Sequence, residues 1–325
     1  MISFQRVQLG EQLPLQTPFS LHVFPAFYCN FRCNYCLHSL PDDVLARKQF
    51  HRQMMDFSIY QKAIDDVQQF DQPLKALLFA GHGEPLMHPQ IVDMIAYAEQ
   101  KKVAGRTEIV TNGSLLTPAL SDGLIDAGLK RLRISIQGTS AAQYEQVCGA
   151  KLDFDAFVRN LTYFYKHKKE TEVYIKIIDS ALSDEKQKAD FERIFSPIAD
   201  FAAIEYEIPF VKEIDYNNLG SLSGRCKQGN QRPSTICSMP FYMMVLYPDG
   251  RVCPCCSTDV PCFFGDVREQ SLREIWESDE RRAFLRKQLD GVQHIPVCRQ
   301  CCVPAFGLQT GDYLDDYASQ LKSKF

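Results

Sequence analysis

Between residues 19 and 209, six apolar runs of strand length alternate with segments of helical periodicity. The runs are Phe19–Phe24, Leu74–Ala80, Thr107–Val110, Arg131–Ile136, Glu172–Ile178 and Ala203–Ile208. The helical segments include Phe57–Phe70, Pro89–Lys102, Thr117–Ala127, Ser140–Val147, Asp155–His167 and Asp184–Phe195. In Pro89–Lys102, for example, Ile91, Met94, Ile95 and Ala98 fall on one helical face. The polar stretch 39–56 reads as a long loop or short helix. Such alternation predicts right-handed βαβ units and a parallel sheet, and an open six-stranded barrel fits it. Parallel sheets place chemistry at the carboxyl ends of their strands. Three segments directly follow strands and are expected to share one rim: the loop around Cys29, Gly81–Pro85, and Thr111-Asn112-Gly113.

Cysteine is the second constraint. The chain has 325 residues and 13 cysteines, three at positions 29–36, Cys148 alone, and nine between Cys226 and Cys302. Net charge is −4 with no long run of one sign, so no basic field is available for nucleic acid. Met1–Gly10 lacks a basic segment followed by an apolar one, which argues against a secretory signal. Apolar runs such as Ala76–Ala80 and Met243–Leu246 are too short to span a bilayer. The expectation is a cytoplasmic protein whose reduced thiols serve metal binding or catalysis rather than disulfides. Cys29, Cys33 and Cys36 form C-x3-C-x2-C. Three thiolates can hold three irons of a four-iron cubane and leave the fourth open, a catalytic arrangement by the logic that separates open from closed zinc sites. A zinc knuckle or neighbouring reduced core cysteines are the plainer alternatives.

From Lys212 the texture changes. Residues 215–235 are polar and rich in Asn, Ser and Gly, a linker or substrate-facing loop. A hairpin signal follows, with Phe241–Tyr247, Pro248-Asp249-Gly250 and Arg251–Cys253. Ser271, with Glu274 three residues on, opens a short helix, and Arg281–Leu289 is a charged amphipathic one. Cys237, Cys255, Cys298 and Cys301 make two distant pairs able to close a structural metal or cluster site. A zinc ribbon would use the same pattern, and Cys253 or Cys256 can replace Cys255, as Cys302 can Cys301.

The C-x3-C-x2-C spacing, with Tyr35 just before the third Cys, resembles the radical S-adenosylmethionine (SAM) superfamily. Ala80-Gly81-His82-Gly83-Glu84-Pro85 is similar to that family's GGEP segment, with His82 as the departure. The resemblance implies a partial (β/α)6 barrel with a [4Fe-4S] cluster on Cys29, Cys33 and Cys36 and SAM on the open iron. It implies SAM contacts from Gly81, Gly83, Glu84, Asn112 and Ser135. Tyr35 either stacks near adenine or packs ordinarily. Cys148 stands where relatives often carry Arg, and reads as a buried inert thiol. The spacing from Cys237 onward, with Gly265-Asp266-Val267 and Ser271–Trp276, looks like the small cysteine-rich SPASM/twitch domains. With no Cys after Cys302, it implies one auxiliary [4Fe-4S] cluster on Cys237, Cys255, Cys298 and Cys301. The domains would be a lead-in at 1–18, a radical SAM core at 19–215, and a linker with the auxiliary-cluster domain at 216–325.

The expected activity is abstraction of a substrate hydrogen by a 5′-deoxyadenosyl radical. It would oxidise or epimerise a small carbohydrate-like molecule: an amino sugar, cyclitol or sugar conjugate. The alternative is a peptide-modifying maturase. An epimerase needs a thiol to return hydrogen. Cys226 in the polar linker is the first candidate, with Cys148 and Cys262 behind it. The resemblance also implies a flavodoxin- or ferredoxin-type electron donor, and no nucleic-acid or membrane partner.

Overall fold

The computed structural model describes residues 7–48, 50–216 and 234–325. Six parallel strands form its core: β1 Ser20–Val23, β2 Ala76–Phe79, β3 Thr107–Thr111, β4 Arg131–Ile136, β5 Glu172–Ile178 and β6 Phe201–Glu205. Between them lie α1 Phe57–Val67, α2 Ile91–Lys101, α3 Pro118–Asp126, α4 Ala141–Cys148, α5 Phe154–His167 and α6 Glu185–Phe195. Side chains begin most of these helices. Asp56, Thr117, Ser140, Asp153 and Asp184 each accept a first-turn N–H, a cap that contributes about 1 kcal/mol apiece. The 39–56 stretch includes the short helix Asp42–Arg47. Strand β6 starts two residues before the expected Ala203 and ends before Ile208, because its ladder stops with Ile178 opposite Glu205, where β5 itself ends.

The C-terminal hairpin joins the same sheet. Here β7 Met243–Leu246 lies parallel to β1, and β8 Arg251–Cys253 and β9 Gly265–Asp266 continue antiparallel. The strand order is β6-β5-β4-β3-β2-β1-β7-β8-β9, so β1 is central rather than an edge. One face packs Leu21, Leu77, Ile109, Leu132, Ile175 and their neighbours against the helices in a buried core. The opposite face carries polar side chains from β4 and β5, among them Arg133, Ser135, Tyr174 and Lys176.

The next helices after the hairpin are α7 Leu272–Trp276 and α8 Asp279–Asp290. Ser271 and Glu274 form the full reciprocal capping box at α7. This helix packs back on α1, where the Leu272 N–H donates to Asp66 at 3.2 Å. The lead-in is tied down as well. Leu9 and Leu13 share a buried cluster with Ile236, Phe241, Leu285 and Leu321, and the Trp276 indole N–H donates to the Leu15 carbonyl at 3.0 Å. Among the described residues no helix is long and apolar enough to cross a membrane.

Candidate active site

The loop after β1 carries Cys29, Cys33 and Cys36. Two backbone bonds dock it on the end of α4: Arg32 N–H to Cys148 O at 3.0 Å and Asn34 N–H to Val147 O at 2.8 Å. They bracket Cys33, which is buried beside the Cys148 thiol. The Phe31 N–H points at Cys29 Sγ at 3.4 Å. Burial pushes the Cys29 thiol up to about 12, with the nearby Glu84 and Cys36 adding to it against the Phe31 bond. For Cys33 the Cys148 hydrogen bond raises the pKa first, then burial and the other two cysteines. The three thiols therefore sit within electrostatic reach of one another and hold their protons. A coordinated metal removes such protons outright. Among the described residues, no three Cys, His, Asp or Glu side chains close on a single ion.

Glu84 organises the neighbouring rim. It is 2% exposed. Its Oε1 accepts from the Thr111 hydroxyl at 2.6 Å and the Leu86 N–H at 2.9 Å, and its Oε2 from the Asn112 N–H at 2.7 Å. Burial raises its pKa against these bonds. The carboxylate thus pins the end of β3, and Oε2, with one protein donor, keeps an acceptor position open. Asn112 in turn donates to Asn30 Oδ1 at 2.9 Å, joining the rim to the cysteine loop. Gly83 is there of necessity, since a Cβ would lie 2.1 Å from the Ala26 carbonyl oxygen. Gly81, at φ +112°, packs under the Phe24 ring. His82 is buried among Phe24, Phe27, Phe50 and Tyr247, with its Nε2 3.1 Å from the Ser257 carbonyl. Burial holds its pKa down at about 4, so the imidazole is neutral and donates.

Ser135 is half-buried on the polar face of β4, directly across from Lys176 on β5. The Lys176 ammonium pairs with Glu205 at 2.7 Å, and the Tyr174 hydroxyl donates to the same carboxylate at 2.8 Å. Tyr35 donates its hydroxyl to Gln137 Oε1, and Gln137 Nε2 bonds the Ser135 carbonyl at 3.0 Å. Tyr35 is therefore anchored at the end of β4 by its hydroxyl. Asn30, Thr111 and Gln137 complete this rim; Thr111 belongs to the Thr111-Asn112-Gly113 segment expected there, whereas neither periodicity nor spacing singles out Asn30 or Gln137.

In the C-terminal region Cys237, Cys255, Cys298 and Cys301 all line one pocket. Burial raises the Cys237, Cys255 and Cys298 thiols, the last to about 11. Cys301 goes the other way, because the Cys302 thiol hydrogen-bonds to it, while Cys302 is raised. Of that pair, Cys301 is the readier thiolate. Of the expected hydrogen donors, Cys226 lies outside the described residues. Cys148 is 1% exposed, with its Sγ 2.9 Å from the Tyr144 carbonyl beside Cys33, so it is no solvent-exchanging thiol. Cys262 lies near Cys298, in the second cysteine zone.

Comparison with known proteins bears on both sets. The Radical SAM superfamily model matches residues 23–179, and an iron–sulfur cluster-binding domain, SPASM, matches 237–302. The AdoMet-dependent heme synthase of Methanosarcina barkeri is 25% identical over 89% of this chain and 92% of its own length. Two solved structures share the fold. BtrN in complex with AdoMet and 2-DOIA has a TM-score of 0.55 at 18% identity, over 87% of this chain and 92% of BtrN. A structure of anSMEcpe with bound AdoMet has a TM-score of 0.62 at 15% identity, over 94% of this chain and 92% of its own. The first domain brings SAM and a four-iron cluster, and the second auxiliary iron–sulfur. With both domains in this order over both cysteine zones, the chain belongs to the radical SAM superfamily as an enzyme with a C-terminal SPASM domain.

Proposed function

We propose that this enzyme is an oxidoreductase acting on a small polar, carbohydrate-like molecule such as an amino sugar, cyclitol or sugar conjugate. When bound, the cluster and SAM supply a radical that abstracts a carbon-bound hydrogen. The chain's own residues do the rest. Glu84 holds the rim and offers Oε2 to a donor such as an ammonium group. The Tyr174–Lys176–Glu205 cluster carries the substrate reading, because it sits on the polar face immediately across from Ser135. Burial opposes ionisation of Glu205, yet Lys176 beside it holds the carboxyl below its ordinary value. A charged pair with donors and acceptors to spare suits hydroxyl and amino groups and would be a poor wall for an apolar substrate. Cys237, Cys255, Cys298 and Cys301 lining one cavity fit an auxiliary cluster that takes the second electron, which favours dehydrogenation. A flavodoxin- or ferredoxin-type protein would be the reductant.

The test is a panel of amino sugars and cyclitols deuterated on ring carbons, incubated with SAM and dithionite. A substrate should place deuterium in 5′-deoxyadenosine and give a product lighter by two hydrogens. Lys176→Met should lower kcat/KM for it by roughly 100-fold, the scale of one lost charged hydrogen bond. Product made in deuterated water that carries solvent deuterium at an inverted carbon, and does not form with Cys226→Ala, would replace dehydrogenation by epimerisation.

A peptide substrate is the second reading. An open pocket favours it, reaching from Leu37, next to Cys36, to Val297, next to Cys298. Phe27, Phe50, Phe263 and Tyr247 line it beside Arg47 and Arg251. Deuterium transfer from a labelled peptide, with none from the panel, would decide for it.

A further inference from the structure

Gln288 lies on α8 with 0% exposure, on the face that otherwise buries Phe284, Leu285 and Leu289. It lines the cavity shared by Cys237, Cys255, Cys298 and Cys301. Its side-chain Nε2 is 3.3 Å from Cys298 Sγ, and its Oε1 has no hydrogen-bond partner among the described residues. A buried amide left half-satisfied is costly, and a leucine would pack there without that cost.

The other cysteines of the cavity show what the amide replaces. Backbone N–H groups two places on, at Met239, Ser257 and Val303, favour the thiolate forms of Cys237, Cys255 and Cys301 electrostatically. The Phe31 N–H does the same for Cys29. Cys298 has no such donor, because the Gln300 N–H two places on is committed to the Val297 carbonyl at 3.3 Å, inside the short turn Cys298–Gln300. Each thiol of the cavity therefore has an N–H favouring its thiolate, and at Cys298 it comes from the side chain of another element, at hydrogen-bond distance.

We infer that Gln288 is a positioning residue for the auxiliary cluster, donating its amide N–H to the Cys298 sulfur and so raising the cluster's reduction potential. The inference rests on the auxiliary-cluster reading of this cavity. A hydrogen bond to a ligating sulfur stabilises the reduced, more negative state of an iron–sulfur cluster. Removing the donor should make reduction harder, and placing an anion there harder still.

The experiment uses the full chain with Cys29, Cys33 and Cys36 changed to Ala, so that one cluster remains, reconstituted anaerobically with iron and sulfide. Iron content and an EPR-monitored redox titration are then compared for this parent and for Gln288→Leu and Gln288→Glu in the same background. The expected result is about four irons in all three. The midpoint should fall in Gln288→Leu and fall further in Gln288→Glu, which keeps the shape of the side chain. An unchanged midpoint in the Leu variant at full iron content would overturn the inference. If the Leu variant loses its iron, the Glu variant decides alone, and a midpoint at or above the parent's would overturn the inference. A parent that holds no iron would instead overturn the cluster reading, and this inference with it.

Discussion

Glu84, His82 and Gly83 sit within three residues of one another and do different work. Glu84 is an acceptor for three protein donors. In Glu84→Gln an amide NH2 must face either the Thr111 hydroxyl or the Asn112 N–H, both donors. SAM affinity should fall by roughly 10- to 100-fold while the cysteine loop still loads iron, the cost of misplacing one or two hydrogen bonds. Equal SAM affinity by equilibrium binding would remove Glu84 from the site. His82 predicts a pH dependence. Its folded pKa, about 4, lies below the ordinary 6.5, so the folded protein binds fewer protons than the unfolded chain. Stability is intact above pH 6.5 and falls as pH drops toward 4. The loss is up to about 3 kcal/mol from this group, and His22, lowered to about 4 by burial and then Arg133, adds in the same direction. His82→Phe, among rings that already surround the site, should lose visibly less thermal stability between pH 6.5 and 4.5 than wild type does. An identical loss would show that His82 is not the titrating group. Gly83→Ala, with its Cβ 2.1 Å from a carbonyl oxygen, should destabilise by about 3 kcal/mol or more, read as a lowered unfolding midpoint.

Among the elements, the strands and helices of the core were legible because each repeats a local pattern. Apolar runs gave β1 to β5 to within two residues, and helical periodicity gave the helices between them. Local pattern does not name a pairing partner. The run at Met243–Leu246 is apolar on both faces, which fits a hairpin standing alone equally well, and its pairing with Ser20–Val23 spans more than two hundred residues of sequence. The cysteine sets were legible from spacing, whereas Gln288 was not: a lone Gln in an amphipathic helix reads as solvated, and only the fold shows it buried against Cys298. Asn30 and Gln137 were hidden in the same way, since their partners, Asn112 and Tyr35, lie far away along the chain. Because β7 covers an edge of β1, residues 1–215 alone should expose that edge and the surfaces of Leu9 and Leu13. We expect this fragment to aggregate on size exclusion. A monomeric fragment that loads about four irons and cleaves SAM would show the core to be self-sufficient.

Over the whole molecule, one sheet holds both cysteine zones. Its central strand β1 leads into the loop of Cys29, Cys33 and Cys36, and the neighbouring β7 and β8 lead toward Cys253 and Cys255. His82 spans the two zones, its backbone carbonyl accepting from His38 at 2.7 Å and its ring reaching Ser257. The account therefore stands on two separate iron–sulfur centres held by one scaffold, one for SAM and one in the C-terminal cavity. Metal content before and after removal of the first set tests this most directly. Anaerobically reconstituted protein should bind about eight irons, and the variant with Cys29, Cys33 and Cys36 changed to Ala should bind about four. The same variant should form no 5′-deoxyadenosine from SAM and dithionite. A variant that holds stoichiometric zinc and no iron, or one that still cleaves SAM at the full rate, would contradict the account.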